Sequence, residues 1–555
     1  MSHSTIPLIT PAALRAALAD RRELAILDVR EEGVSARRRL FYSSIAAVGR
    51  LGLVVGQLVP RLTTPVVLVD EAGEYASRAA ALLASFGYTH VSILEGGVSG
   101  WEAAGFEVFS GTNVPGKAFG EVIEHRLHTP NIDAPTLRQL QDAGEDLVVL
   151  DSRPFPEYQT MNIPGGVECA GAELVHRALA AAPSPDTLIV VNCAGRTRSI
   201  LGAQSLVNAG IPNPVAALTG GSMSWLLSGF ELERGRISTA PRPDGAALAS
   251  ARTLAQRAAA RAGVVEIDRA TLARFESEAA THTLYRFDVR APLEYEAGHR
   301  AGWRSAPGGQ LVQATDEYVG TLHARVVLAD DDGVRARMTA SWLVQLGYLQ
   351  VFVLADDDSS AAFETGPEPL PIFRTRGRTQ WIEADQLAQT LEAGSAQVVD
   401  VDSSLAFRRA HIAGARFVAA SALEDLLERI DADASRQLVL TSSDGVLAGL
   451  LANQLRERRE GVAALLGGTQ RWLALGLPQA SGDEGNLTGD DDAWYSPYHY
   501  APAQAAQQME AYLAWELQLV GQLERDGIAS INVIDFDTPT HRRSEERLAA
   551  LRRAN

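Results

Sequence analysis

The sequence predicts an α/β protein of four small domains in tandem, each a parallel sheet with helices on both faces, followed by a C-terminal loop and helical tail. Three observations predict this. An apolar run ending in an acid occurs four times: "LAILDVR" to Asp28, "LVVLDSR" to Asp151, "LYRFDVR" to Asp288 and "QVVDVDS" to Asp400. A second apolar run follows each, ending at Asp70, Cys193, Asp330 and Ser442, always 42 residues after the first acid. A small turn and a stretch of helical period come next. Short apolar runs bounded by turn residues are buried strands. Their alternation with helices requires parallel pairing through right-handed crossovers.

The elements repeat in order. In the first repeat, 1–112, the strand "PVVLVD" leads to the helix "ASRAAALLASFG" and then to "LEGGVSGW". The second, 118–237, has "LIVVNC", "SILGAQSLVNAG" and "LTGGSMSW". The third, 262–370, has "RVVLAD" and "RMTASWLVQLG" but ends in "VLADDDSS", without Gly-Gly and tryptophan. The fourth, 378–482, has "LVLTS", "LAGLLANQLRERREG" and "LLGGTQRW". Gly87, Gly210, Gly347 and Gly461 are expected to stop the four helices as C-caps. Composition shifts near 110–120, 238–263 and 363–378 mark the boundaries. The tail, 483–555, opens on an acidic loop and the aromatic "SPYHY", a candidate cover for a pocket. From Ala501 it carries helical apolar spacing at Met509, Tyr512, Leu513, Leu517, Leu519 and Leu523, expected to clamp a helix to the body.

Bulk properties narrow the function. A chain of 555 residues needs several cores, and 46% apolar with 21% charged residues is an ordinary globular composition. A formal charge of −18 argues against nucleic acid, whose phosphates demand a basic face. The N-terminus has no secretory leader pattern and no segment reaches ~18 uninterrupted apolar residues, so a cytoplasmic protein with no membrane association is expected. Two cysteines can build neither a disulfide framework nor a structural zinc site. Any sulfur chemistry falls to individual thiols, and no cofactor or metal is implied.

Cys193 sits at the carboxyl end of a predicted strand, where open α/β sheets bind ligands against helix N-termini. It is either a nucleophile or a buried structural thiol. The following Ala194, Gly195, Arg196, Thr197 and Arg198 are small or cationic and can curl their N–H groups around the sulfur as an anion nest. The nest, the helix dipole and the two arginines are expected to lower the thiol pKa below the ~8.5 of a free cysteine. Cys169 reads as a small apolar residue under the sheet, or as a second thiol that resolves or accepts sulfur from Cys193. Arg153 reads as an ion-pair partner of Glu157 or a neighbour. His299 and His411 read as structural hydrogen-bonding groups, and "DEYVG" and "ADDDGVR" as solvated turns lacking calcium-loop spacing.

"LDSRP", "IPGG", "CAGRTRS" and "LTGGSMSW", taken together, resemble the rhodanese family of sulfurtransferases, and the flanking degenerate repeats resemble its tandem four-domain members. The resemblance implies that Cys193 takes a sulfane sulfur from thiosulfate or a persulfide and passes it to cyanide or a thiol, small or protein-borne. It implies that Ala194 to Arg198 hold the persulfide and the donor's sulfonate, with Arg153 in the pocket wall and Asp151 and Ser199 as structural support. Asp70, Asp330 and Ser442 stand where the other repeats would need the cysteine, so those repeats are expected to be inactive. Asp70 and Asp330 would place a permanent anion in the nest. The alternatives are a sulfur carrier or scaffold that binds a partner through the inactive repeats, and a cysteine-dependent phosphatase. The latter is disfavoured because the Cys193–Arg198 loop is one residue short for a phosphoryl group.

Overall fold

A computed structural model describes residues 6–71, 73–355, 363–375, 377–430, 435–456 and 458–554. Five strands of each repeat form a sheet on one plan. If the strands of each repeat are counted along the chain, the order across every sheet is 1-5-4-2-3, with all neighbours parallel. In the third and fourth repeats the same order holds, with short antiparallel pairs outside the main sheets. The two central strands of each repeat are the apolar runs found in the sequence. In the second repeat they are Leu147–Asp151 and Leu188–Asn192, paired over five residues. Buried on both faces, they need continuous apolar side chains rather than alternation.

The chain divides into two compact units: Met1–Thr112 with Leu370–Tyr495, and Asn113–Pro369 with Ser496–Asn555. The second and third repeats are thus nested within the chain of the first and fourth. The expected tail 483–555 is accordingly divided, its acidic loop belonging to the first unit and its helices to the second.

Each unit joins its two repeats through the same segment, the residues after the third strand of each sheet. In the first unit Gly49 lies against Ala420 so closely that a Cβ would stand 2.3 Å from the Ala420 carbonyl carbon. In the second unit a Cβ on Gly171 would stand 3.1 Å from the Gly309 Cα, and one on Gly308 would stand 2.9 Å from the Ala172 Cβ. The positions three and four residues beyond the strand meet their counterparts in both cases, so each pair of repeats is joined by a self-complementary contact.

Two expected linkers are helices. The boundary near 110–120 lies in Val114–Leu127, buried along its first ten residues, and the boundary near 238–263 contains Gly245–Ala262. The second of these buries Ala251, Ala255, Ala258, Ala259 and Ala262. Alanine enrichment there is a helix with a small-residue face for close packing rather than a composition break. Gly87, Gly210 and Gly347 cap their helices with φ of 98°, 80° and 82°. Gly461 does not; its helix ends at Leu455, and Gly461 turns the chain into the next strand at Val462. The divergent end of the third repeat falls partly in 356–362, outside the described residues. No described helix is long and apolar enough to cross a membrane.

Candidate active site

Cys193 is the first residue after the strand Leu188–Asn192, and Thr197 begins the next helix, Thr197–Ala209. Its side chain is buried, 2% exposed. The loop between is anchored through its carbonyls by the start of the helix Gly221–Leu227: Ser222 N–H donates to the Cys193 oxygen at 2.8 Å and Met223 N–H to the Ala194 oxygen at 3.0 Å. Gly221 has a φ of 55°, and a Cβ there would stand 2.3 Å from the Cys193 oxygen. That close approach explains the Gly-Gly ahead of the tryptophan, and Gly97 and Gly468 crowd the Asp70 and Ser442 oxygens in the same way. With its carbonyls turned outward to these donors, the loop can turn N–H groups inward.

The other repeats mark which N–H groups converge at the strand end. Asp70 accepts from Gly73 N–H at 2.7 Å and Ala76 N–H at 2.9 Å, the residues three and six further on. Asp330 accepts from Gly333, Arg335 and Ala336 at 2.7, 2.8 and 3.2 Å. Ser442 Oγ accepts from Ala448 N–H at 3.3 Å, again six residues on. In the second repeat that sixth residue is Ser199, whose backbone N–H and side-chain oxygen both face the Cys193 sulfur, with Sγ to Oγ at 3.5 Å. A carboxylate does occupy the nest in the first and third repeats, as the sequence suggested.

The expected lowering of the thiol pKa is not what the structure supports. Burial pushes the Cys193 thiol up, and Arg198 and Ser199 recover only part of that. The cationic loop is neutralised locally. Arg196 is held by Glu121 through bonds of 2.8 and 2.9 Å, turned to the helix Val114–Leu127 rather than to the sulfur. Arg198 does face Cys193, and its guanidinium is held by Glu157 at 2.7 and 2.8 Å. Burial opposes ionisation of Glu157, yet the Arg198 ion pair keeps its carboxyl below the usual range.

Arg153, read as an ion-pair partner of Glu157 or a neighbour, pairs with the neighbour Asp151. Fully buried, it clamps Asp151 at 2.8 and 2.6 Å and donates to the Met161 carbonyl at 2.6 Å. Arg30 with Asp28 and the Arg38 carbonyl, and Arg290 with Asp288 and the Gly298 carbonyl, repeat the motif where no cysteine exists. The clamp therefore belongs to the fold of the repeat. Asp151 also accepts from Arg153 N–H at 3.1 Å and the Asn192 amide at 3.1 Å, the turn role expected of it.

Cys169 N–H donates to the Asp151 carbonyl at 2.8 Å. Ala46, Ala306 and Val418 make the same bond to Asp28, Asp288 and Asp400, and all four side chains are buried. Cys169 thus takes a position that the other repeats fill with small apolar residues, within a core that includes Leu150, Leu174 and Val191. Burial raises its thiol pKa well above the ordinary value. His299 and His411 bond the Tyr295 and Phe407 carbonyls through Nδ1 at 2.8 and 2.7 Å and stack on those same rings, as expected of structural histidines.

Tyr498 of "SPYHY" does cover the loop, its hydroxyl 2.9 Å from Ser222 Oγ and 3.4 Å from the Ala194 oxygen. The helix Pro502–Asp526 buries Met509, Glu516, Leu519 and Leu523, whereas Leu517, expected on that face, is exposed. Glu516 and Tyr512 flank Gly195. Sequence reasoning missed Glu516, although it lies in the 3-4-3-4 spacing of the buried stripe, where a glutamate is out of place. Among the described residues no cluster of His, Cys, Asp and Glu could hold a metal ion.

A rhodanese-like domain model matches residues 10–104, 133–228 and 383–475, which fall in the first, second and fourth repeats. The crystal structure of a thiosulfate sulfurtransferase from Pseudomonas aeruginosa is 43% identical, with a TM-score of 0.91, covering 96% of this chain and 100% of that one. A rhodanese-related protein from Thermoplasma volcanium is 19% identical, with a TM-score of 0.17, covering 18% of this chain and 97% of its own. A rhodanese-like domain from Anabaena sp. is 26% identical, with a TM-score of 0.17, covering 22% and 91%. No curated protein matches the chain. The three stretches matched by the family model span just over half of the sequence, and the chain belongs to the rhodanese-like domain family.

Proposed function

We propose that this chain is a thiosulfate sulfurtransferase that carries sulfur on Cys193. The observation that supports it is the placement of a thiol at the strand-end nest that Asp70, Asp330 and Ser442 fill with oxygen in the other repeats. A nest that accepts a carboxylate in two repeats is suited to a sulfur anion in the second. The P. aeruginosa thiosulfate sulfurtransferase, aligned over nearly the whole chain, supports the same donor class.

In this reading the Cys193 thiolate attacks the sulfane sulfur of thiosulfate, the sulfur–sulfur bond of the donor breaks, and sulfite leaves with the electron pair. The persulfide so formed is held by the Ser199 N–H and the Arg198 charge. Cyanide or a thiolate then attacks the outer sulfur and returns Cys193 to its starting state. Ala194, Gly195, Arg196 and Thr197 shape the loop, and Asp151 with Arg153 stiffens its base. The first, third and fourth repeats take no covalent part, because an aspartate or a serine cannot carry a sulfane sulfur. We retain the boundaries 1–112, 118–237, 262–370 and 378–482 for the four repeats.

The test is to incubate the protein with thiosulfate and weigh it. Wild type gains one sulfur atom, which cyanide removes, and Cys193→Ser gains none. An unmodified wild type with thiosulfate, mercaptopyruvate and glutathione persulfide alike would overturn the proposal.

A further inference from the structure

The contact that joins the second and third repeats is not closed throughout. Beside the touching glycines lies a cleft of about 410 Å³, counted to its mouth, within the size range of small-molecule sites. The second repeat lends it Arg198 and Leu201, the third lends it Val312, Met338, Thr339 and Trp342, and glycines of both repeats leave it room. The helix that follows the Cys193 loop thus forms one wall, and a repeat without a cysteine forms the other.

Arg198 is gripped by both repeats. Its Nη1 donates to Glu157 of the second repeat at 2.7 Å and to Gln310 Oε1 of the third at 3.3 Å. The same guanidinium is the charge that favours the Cys193 thiolate, so the cleft is bounded by the cation that faces the sulfur.

Thr339 is the second polar feature of the cleft. It lies within the helix Val334–Leu346, is 2% exposed, and its hydroxyl has no hydrogen-bond partner among the described residues. A threonine inside a helix commonly satisfies its hydroxyl on the carbonyl one turn back. Across the cleft Ser205 does so on Leu201, and it also accepts from Trp342 Nε1, both at 2.7 Å. The Thr339 hydroxyl instead stands against Gly308, where a Cβ would lie 2.0 Å from its oxygen. Any side chain at 308 would displace it. An unpaired buried hydroxyl is a cost to the fold that a bound partner removes.

Resting on the sulfur-transfer reading above, we propose that this cleft receives the sulfur acceptor, and that the acceptor is a short, unbranched organic thiol with an oxygen at its far end. Its sulfur lies at Arg198, its carbon chain against Leu201, Val312 and Met338, and its oxygen on the Thr339 hydroxyl. The acceptor's thiol proton goes to solvent and its thiolate attacks the outer sulfur of the Cys193 persulfide. A new sulfur–sulfur bond forms, the persulfide's own bond breaks, and Cys193 Sγ leaves with the electron pair, so the acceptor departs as an organic persulfide with no oxidant or reductant consumed. Thr339 determines specificity without touching the reacting atoms, and the third repeat selects the acceptor although it carries no sulfur.

Mercaptoethanol and propanethiol test this, because they have the same length and end in a hydroxyl and a methyl group respectively. With thiosulfate as donor, the kcat/KM of each is measured and expressed relative to that of cyanide. Intrinsic reactivity cancels when the mercaptoethanol-to-propanethiol ratio is compared between variants. Thr339→Val lowers that ratio about two- to tenfold, the weight of one hydrogen bond, through the KM of mercaptoethanol, and Thr339→Ser restores it. Because valine deletes a hydroxyl with no partner, Thr339→Val keeps the wild-type Tm when no acceptor is present. A ratio equal in wild type and Thr339→Val, or a lowered Tm in that variant, overturns the proposal. Ligand-observed NMR of mercaptoethanol on the Cys193→Ser protein reads the cleft without sulfur transfer, and its binding signal weakens when Thr339→Val is added. If the signal behaves so while no donor loads Cys193 in wild type, the sulfur-transfer reading fails and the thiol site stands. If wild type transfers sulfur but neither the ratio nor the signal responds to Thr339→Val, the cleft proposal fails alone.

Discussion

Arg198 approaches Cys193 with its guanidinium held by Glu157 through two parallel bonds of 2.7 and 2.8 Å. The pair fixes a cation beside a sulfur that burial alone would keep protonated. Removing it with Arg198→Ala should displace the pH onset of Cys193 alkylation upward, each unit costing about tenfold in rate at neutral pH. Glu157→Gln leaves the charge but halves its anchorage, and should slow thiosulfate loading less than Arg198→Ala does. Equal effects of the two would mean that the position of the guanidinium, rather than its charge, is what Cys193 needs.

The Asp70 carboxylate satisfies two backbone N–H groups at a buried strand end. Asp70→Ala should destabilise the first unit by about 1–3 kcal/mol, read by denaturant unfolding, and leave sulfur loading of Cys193 unchanged. A loss of loading with stability intact would show that the first repeat contributes to the reaction.

The buried clamps Arg153–Asp151 and Arg30–Asp28 are built alike, but only the first lies beneath the cysteine loop. Breaking either by Arg→Ala should cost about 3–5 kcal/mol, the usual effect of stranding one member of a buried pair. Differential scanning calorimetry on the two variants should give similar losses. A far smaller loss for Arg153→Ala, joined to a raised KM for thiosulfate, would place Arg153 in the wall of the substrate pocket.

His176 joins the second and third repeats, its Nε2 2.8 Å from Asp332 and its Nδ1 3.4 Å from Glu173. Burial lowers its pKa, but the two carboxylates outweigh that and raise it to about 9. A pKa raised in the folded state contributes stability that is fully present below the unfolded value of ~6.5 and fades as pH rises through about 9. Urea midpoints measured between neutral pH and pH above 9 should therefore fall more in wild type than in His176→Gln. Parallel curves would remove His176 from the linkage.

Cys169→Ala should leave sulfur loading intact and cost about 1 kcal/mol or less, since alanine stands at the equivalent place in two other repeats. Complete loss of transfer to an acceptor, with Cys193 still loading, would identify Cys169 as the resolving thiol after all.

The sequence by itself determined the four strand–helix repeats, because continuous apolar runs and a fixed interval between strand ends leave few ways to bury them. It also determined that one thiol stands where three oxygen side chains stand elsewhere, since spacing carries that information without any contact. Tertiary structure decided what surrounds the thiol. Arg196 turns to Glu121 and Arg198 to Glu157, and ion pairs between residues far apart in the chain have no signature in local pattern. It decided the pairing of the first repeat with the fourth and the second with the third, through glycine contacts that only the folded backbone brings together. It also decided that Glu516, more than three hundred residues from Cys193, stands over the loop, because the face a helix buries is chosen by the surface that receives it.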